Sequence, residues 1–223
     1  PNVVQVYEVM DFDGAPTMVM EYLDGQSLQA VTNHEPPMPR HLQLHILTKV
    51  LAGLHACHEL RNFDGSLLGL IHRDVSPHNV FVLYDGQIRV LDFGIAKAKE
   101  SSVNTQTGEV KGKLHYMAPE QFAGREHGRA VDVFAVGVML WEALAGRRLW
   151  ADMHDSEVML ALLTNEIPAL PDSADISPEL RQICAKALAP KAEDRYASAG
   201  DFQRALERHL LSLEEDDSSN AVA

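Results

Sequence analysis

"HRDVSPHNV", residues 72–80, sets an Asp beside a His and an Arg and places an Asn five positions after it. The stretch runs directly into "NVFVLYDGQIRVLD", residues 79–92, where apolar runs flank Asp85-Gly86, a strong two-residue turn signal. A hairpin closed by those two residues sets Tyr84 opposite Gln87 and Val82 opposite Arg89. At its open end Asn79 then faces Asp92. Directly opposed residues hold their Cβ atoms about 4.5–5.5 Å apart, so an amide oxygen and a carboxylate converge there. Asp74 lies near the same point. A few hard oxygen donors, completed by phosphate, are what Mg²⁺ takes. Each residue alone has an ordinary alternative, Asn79 as a turn residue at a strand start and Asp92 as a helix cap.

Outward from this hairpin, the chain divides into strands followed by helices. "VVQVYEVMDFDGAPTMVMEYLDG", residues 3–25, reads as two strands around Asp13-Gly14. The prolines of "EPPMPR" stop one helix before the next begins. Leu42, Ile46, Val50, Leu54 and Cys57 recur at helical spacing and predict a helix over 40–60. "RNFDGSLLGL" is a turn-rich connector, and "KESSVNTQTGEVKGK", residues 99–113, is polar and lacks periodicity. From Asp132 onward the chain reads as helical, broken at "PALPDSADISPEL", where Ser177 is placed to cap the next helix. "EEDDSSNAVA" reads as a frayed, solvated tail. Strands first and helices afterwards predict an α+β fold with segregated layers.

Composition narrows the class. The chain has 223 residues, 46% hydrophobic and 23% charged, which suits one globular domain with a sizeable core. A formal net charge of −13 argues against a phosphate-backbone partner such as nucleic acid. Cys57 and Cys184 form no disulfide framework, and the expected compartment is cytoplasmic. The longest apolar run, "VFAVGVMLWEALA", is bounded by Asp132 and broken by Glu142, so it reads as a buried helix and not as a membrane span. "HACH", with His55, Cys57 and His58, has two helical neighbours of metal-binding type but no further ligand at a suitable spacing.

Taken together, "HRD" with Asn79, Asp92-Phe93-Gly94, Ala118-Pro119-Glu120 within "YMAPE", and "DVFAVGVMLWEAL" resemble the C-terminal lobe of a protein kinase. The likeness is to the eukaryotic-like Ser/Thr kinases of bacteria and covers nearly the whole chain. It implies a single partial kinase domain: strands and hinge over 1–23, the helical lobe over 24–212, and a disordered tail over 213–223. It implies transfer of the γ-phosphate of ATP to Ser or Thr hydroxyls of proteins, with Asp74 as catalytic base and Asn79 and Asp92 binding Mg²⁺. Met20 would back the adenine pocket, the Glu21 and Leu23 backbone would bond the adenine edge, Phe81 would form its floor, and Ser27 would reach the ribose. Asp132 would tie the catalytic loop to the central helix. Glu120 would pair with Arg195. His72 and Phe93 would stack in a column that includes Val6. Ser101, Ser102, Thr105 and Thr107 would be phosphorylation sites, Thr105 and Thr107 foremost, with Arg73 and Lys97 as the basic pocket.

The chain also departs from the family. Ser/Thr kinases place a Lys two residues after the catalytic Asp, where this chain has Ser76. They place a Thr in the segment before "YMAPE", where this chain has Lys113. The paired departures suggest that Lys113 supplies the displaced cation and Ser76 the hydroxyl. The family's Gly-rich loop, strand Lys and Glu-bearing helix are expected ahead of residue 1, so residues 1–223 alone are expected not to catalyse transfer. Two other classes compete. A pseudokinase scaffold is motivated by Ser76 and opposed by the retention of Asp74, Asn79 and Asp92. A small-molecule phosphotransferase is opposed by "YMAPE".

Overall fold

The computed structural model describes residues 1–93, 114–125, 127–173 and 175–220. Strands β1 (Val6–Phe12) and β2 (Ala15–Met20) pair antiparallel, with Phe12 opposite Ala15 and Asp13-Gly14 as the turn. Both turn residues have positive φ, 52° and 80°, as a primed hairpin turn requires. The hairpin stands largely in solvent, with Val9 and Phe12 each 65% accessible. Its base is fastened to the remainder. The Val4 amide donates to the Val90 carbonyl, and the Val90 amide to that of Asn2, each at 2.9 Å.

The second sheet has the order β3-β4-β5, all antiparallel: β3 (Gly25–Ser27), β4 (Val80–Leu83) and β5 (Ile88–Val90). Its β4-β5 hairpin exists where the sequence places it, but one residue out of the expected register. Val80 faces Val90, Phe81 faces Arg89 and Val82 faces Ile88. Tyr84 therefore does not face Gln87, Val82 does not face Arg89, and Asn79 does not face Asp92. The loop is Tyr84-Asp85-Gly86: the Gly86 amide donates to Leu83, and the Leu83 amide to Gln87, both at 2.9 Å. Gly86 at φ 85° takes the left-handed position of a three-residue loop. The Asp85 carboxylate also accepts the Gln87 amide at 2.9 Å, which stabilises this loop over the shorter one.

Helices make up the rest: α1 (Leu28–Thr32), α2 (Arg40–His58), α3 (Pro119–Phe122), α4 (Ala130–Ala145), α5 (Asp155–Thr164), α6 (Pro178–Ala187) and α7 (Ala199–Asn220). Helix α4 is apolar around most of its circumference, Asp132 and Glu142 apart, and is correspondingly central, burying Phe134, Leu140, Trp141 and Leu144. It ends at Gly146, which adopts a left-handed φ of 66° that turns the chain out of the helix while its amide still bonds the Glu142 carbonyl at 2.9 Å. Helix α2 packs against both α4 and α7. Its buried face runs through Leu44, Leu47, Leu51 and Leu54. Leu42, expected in that stripe, is 46% accessible, and Cys57 is half-buried. Ser177 caps α6 as expected, accepting the Leu180 amide at 3.1 Å. Helix α7 continues to Asn220, so the acidic stretch read as frayed is helical up to that residue. Glutamate is a good helix former, and extending an existing helix costs little. Among the described residues no helix is long and apolar enough to cross a membrane.

Candidate active site

The site is organised around Asp132, in the first turn of α4. It is only 1% accessible, and a carboxylate there is favoured by the unpaired amides of the helix start. Its oxygens accept three hydrogen bonds: from the His72 amide at 2.9 Å, the Arg73 amide at 2.8 Å and His58 Nε2 at 2.8 Å. The expected tie between catalytic loop and central helix is present. The sequence did not foretell the part played by His58. His58 is committed to Asp132, and the His55 ring lies against Gly200, so "HACH" does not converge on one point.

Arg73 adopts φ 65°, a left-handed conformation that costs an ordinary residue roughly 1–2 kcal/mol. Contacts on both sides hold it there. Asp132 takes its amide, and Gln121 Nε2 from α3 donates to its carbonyl at 2.8 Å. The next amide, that of Asp74, points to His72 Nδ1 at 3.3 Å. Nδ1 is then the acceptor, so the His72 proton sits on Nε2, 2.6 Å from the Leu91 carbonyl. His72 is fully buried, lies 4.7 Å centroid to centroid from Phe93, and is engaged at both nitrogens. It is a spacer between loop and hairpin. Val6, expected in the same column, instead lies on β1 and is 39% accessible.

Asn79 ends the turn 77–79 and is joined to Asp74 directly: its Nδ2 donates to the Asp74 carbonyl at 2.8 Å. That bond assigns the amide orientation and leaves Oδ1 as the accepting atom. The Asn79 carbonyl accepts the Leu91 amide at 2.9 Å, so Asp92 follows one residue beyond the last cross-strand bond. Asp92, two residues beyond the end of β5, is exposed and adopts φ 54°. The cross-strand pairing of Asn79 with Asp92 that the sequence suggested is therefore absent, Asn79 standing opposite Leu91 instead.

Of the residues expected around adenine, Met20 closes β2, and the chain 21–24 leads into β3 without regular structure. The Glu21 amide donates to the Gln5 carbonyl at 2.9 Å. The Glu21 carboxylate accepts Arg89 Nε at 3.0 Å, an ion pair the sequence did not signal because it depends on the observed register. The Glu21 carbonyl and the Leu23 amide make no hydrogen bond among the described residues. Phe81 is half-buried on β4 opposite Ser27. The Ser27 hydroxyl caps α1, accepting the Ala30 amide at 3.2 Å.

Below the loop, Arg195 meets Glu120 through two bonds, at 2.7 and 2.9 Å, as expected. The sequence did not reveal a second cluster. Tyr116 donates to Glu142 at 2.8 Å, and Arg148 contacts the Tyr116 hydroxyl, Glu142 and Gln29. Burial, with the Glu142 carboxylate, pushes the Tyr116 phenol far above its usual range. Lys97, Ser101, Ser102, Thr105, Thr107 and Lys113 lie outside the described residues.

Comparison with known proteins agrees with this geometry. Residues 1–210 match the protein kinase domain family, and the chain belongs to that family. It is 44% identical over 217 residues to the tyrosine-protein kinase MasK of Myxococcus xanthus, across 94% of this chain and 33% of that protein. It is 33% identical over 206 residues to the probable serine/threonine-protein kinase PknB of Lactococcus lactis, across 91% of this chain and 31% of the relative. With the serine/threonine-protein kinase PrkC of Bacillus subtilis it shares 30% identity over 204 residues, across 91% and 30% respectively. The chain thus spans about a third of the length of these curated relatives. They support the likeness to the eukaryotic-like kinases of bacteria.

Proposed function

We propose that this chain carries the phosphoryl-transfer half of a protein kinase that moves the γ-phosphate of ATP to Ser or Thr hydroxyls. The Asn79 amide carries the reading. With Nδ2 spent on the Asp74 carbonyl, its oxygen is the atom left to ligate a cation, and we read the carboxylates of Asp74 and Asp92 as the other oxygens of the set. This all-oxygen set fits Mg²⁺ and suits no softer metal. Bound there, Mg²⁺ would neutralise phosphate charge, with Asn79 and Asp92 as its protein ligands.

Asp74 orients the acceptor hydroxyl and takes its proton as the oxygen bonds to the γ-phosphorus, and ADP leaves with the electrons of the broken bond. Met20, Phe81, the Glu21 carbonyl and the Leu23 amide receive the adenine. Ser27, which accepts the Ala30 amide, keeps its hydroxyl proton to donate to the ribose. Lys113 provides the cation beside Asp74, and Ser76, 5% accessible, provides the neighbouring hydroxyl. Thr105 and Thr107 accept regulatory phosphate, which Arg73 and Lys97 hold.

Pro77, within "SPHN", resembles the Ser/Thr type of catalytic loop and supports Ser/Thr acceptors. The 44% identity to a relative named as a tyrosine kinase favours tyrosine as the second reading. Full-length protein incubated with Mg-ATP and a general protein acceptor, followed by phosphoamino-acid analysis, separates the two. Asp74→Asn is expected to abolish transfer, and Lys113→Ala to lower kcat far more than it raises KM for ATP. Full transfer by Asp74→Asn would remove the proposed base. An inactive wild type would favour the scaffold.

A further inference from the structure

We propose that Gln121 is a positioning residue for Asp74, acting through the Arg73 carbonyl; this rests on the phosphoryl-transfer reading above. The peptide linking Arg73 to Asp74 sets the direction in which the Asp74 side chain leaves the backbone. Its carbonyl receives Gln121 Nε2 at 2.8 Å, and its amide points to His72 Nδ1 at 3.3 Å. The plane is thus held at both edges. One hold comes from inside the loop and the other from α3, 48 residues away.

Neither hold is loose. His72 is fastened by Asp132 at its backbone and by Leu91 at its ring. Helix α3 is fastened by the neighbouring Glu120, which Arg195 grips through two hydrogen bonds. Gln121 therefore reaches Arg73 from a fixed base, and its amide holds a residue whose φ of 65° its own backbone disfavours. Without that donor, Asp132 still holds the preceding amide, but the Arg73–Asp74 plane can turn. The carboxylate would then leave its attack position while the surrounding core stays intact.

A carboxyl in place of the amide makes this testable through pH. Gln121→Glu is nearly isosteric; when ionised it presents only acceptors to the carbonyl, and when protonated it donates as the amide does. Gln121→Met keeps the volume without any donor. The charged or titratable groups nearby are His72, Arg73 and Asp74 on the loop, Asp132 and His58 behind it, Glu120 and Arg195 below, and the His115–Asp155 pair. All are present in every variant, so the ratio of variant to wild type at each pH isolates position 121.

In full-length protein with Mg-ATP, Gln121→Met is expected to lower kcat about ten-fold at every pH, with KM for ATP within about two-fold. Gln121→Glu, whose part-buried carboxyl would face the Arg73 carbonyl oxygen and so favour its protonated form, is expected to be at least as impaired at pH 8 and to recover toward wild type as pH falls to 5.5. Hydrogen exchange of peptide 72–80 gives a readout independent of turnover. Relative to wild type it should be faster in both variants at pH 8, and should return to normal at pH 5.5 only for Gln121→Glu. If wild type transfers no phosphate, the functional reading fails and exchange alone decides the positioning. Unchanged kcat ratios in an active protein, or unchanged exchange in either case, overturn the proposal.

Discussion

At the scale of single residues, the firmest local arrangement is Arg195. Its side chain is fully buried, faces both Glu120 oxygens and the carbonyls of Ala130, Ala189 and Pro190, and lies 4.8 Å over the Phe134 ring. A buried pair adds little net stability over an apolar pair of the same shape, because both charges were taken from water. Removing one partner is different, since the remaining charge stays buried without its counterion. Glu120→Ala is therefore expected to cost about 3–5 kcal/mol, which in a domain of this size lowers Tm by roughly 10 °C. Thermal denaturation checks it. Glu120→Leu combined with Arg195→Met should lose less than the sum of the two single changes.

Among the elements, α2 shows how packing overrides propensity. Gly53 lies inside a helix, where alanine is ordinarily better by about 1 kcal/mol. Here a Cβ would meet the Asn2 carbonyl oxygen at 2.7 Å, and that oxygen is bonded to the Val90 amide. The obstacle is backbone, not the end of a flexible side chain, so relief requires moving the segment that fastens the β1-β2 hairpin. Overpacking of this kind costs about 1–3 kcal/mol, which outweighs the propensity gain. Gly53→Ala should thus destabilise the protein. Hydrogen exchange should show faster loss of protection at the Val4 and Val90 amides than elsewhere in the sheet; equal protection there would show that the segment accommodates the methyl group.

For the whole molecule, the core sets how stability varies at alkaline pH. Burial pushes the Cys184 thiol up to about 12 and, as the main cause, the Tyr196 phenol to about 12. Both groups stay neutral in the fold at pH values where the unfolded chain ionises them. Raised acids contribute stability that is fully present below their unfolded pKa values, near 9 for the thiol and 10 for the phenol, and is lost as pH rises. Above pH 9 the thiol alone should remove about 1.4 kcal/mol per pH unit until its folded value is reached. Tm measured from pH 8 to 11 should fall beyond pH 9. In Cys184→Ala, less stable at neutral pH, the fall beyond pH 9 should be shallower, what remains coming from the raised Cys57 thiol and Tyr196 phenol. A wild-type Tm flat to pH 11 would contradict the burial of these groups.

Whatever depends on residue type at short spacing was determined by the sequence itself. The Asp13-Gly14 turn, the Ser177 cap and the largely apolar α4 were legible because local backbone preference and periodicity decide them, and the loop from His72 to Asn79 because it resembles a kinase motif. The pairings of Asp132 with the loop amides and of Glu120 with Arg195 followed from the family resemblance, since no local rule joins residues so far apart. Only the tertiary structure decided the rest. The β4-β5 register turned on whether Gly86 took a left-handed position in a three-residue loop, a choice the Asp85-Gly86 pair leaves open. The Glu21–Arg89 ion pair depends on that register. The contact of Gln121 with Arg73 and the cluster of Tyr116, Glu142 and Arg148 arise because the packed core brings separate elements within hydrogen-bond reach, where burial makes an unpaired polar group costly.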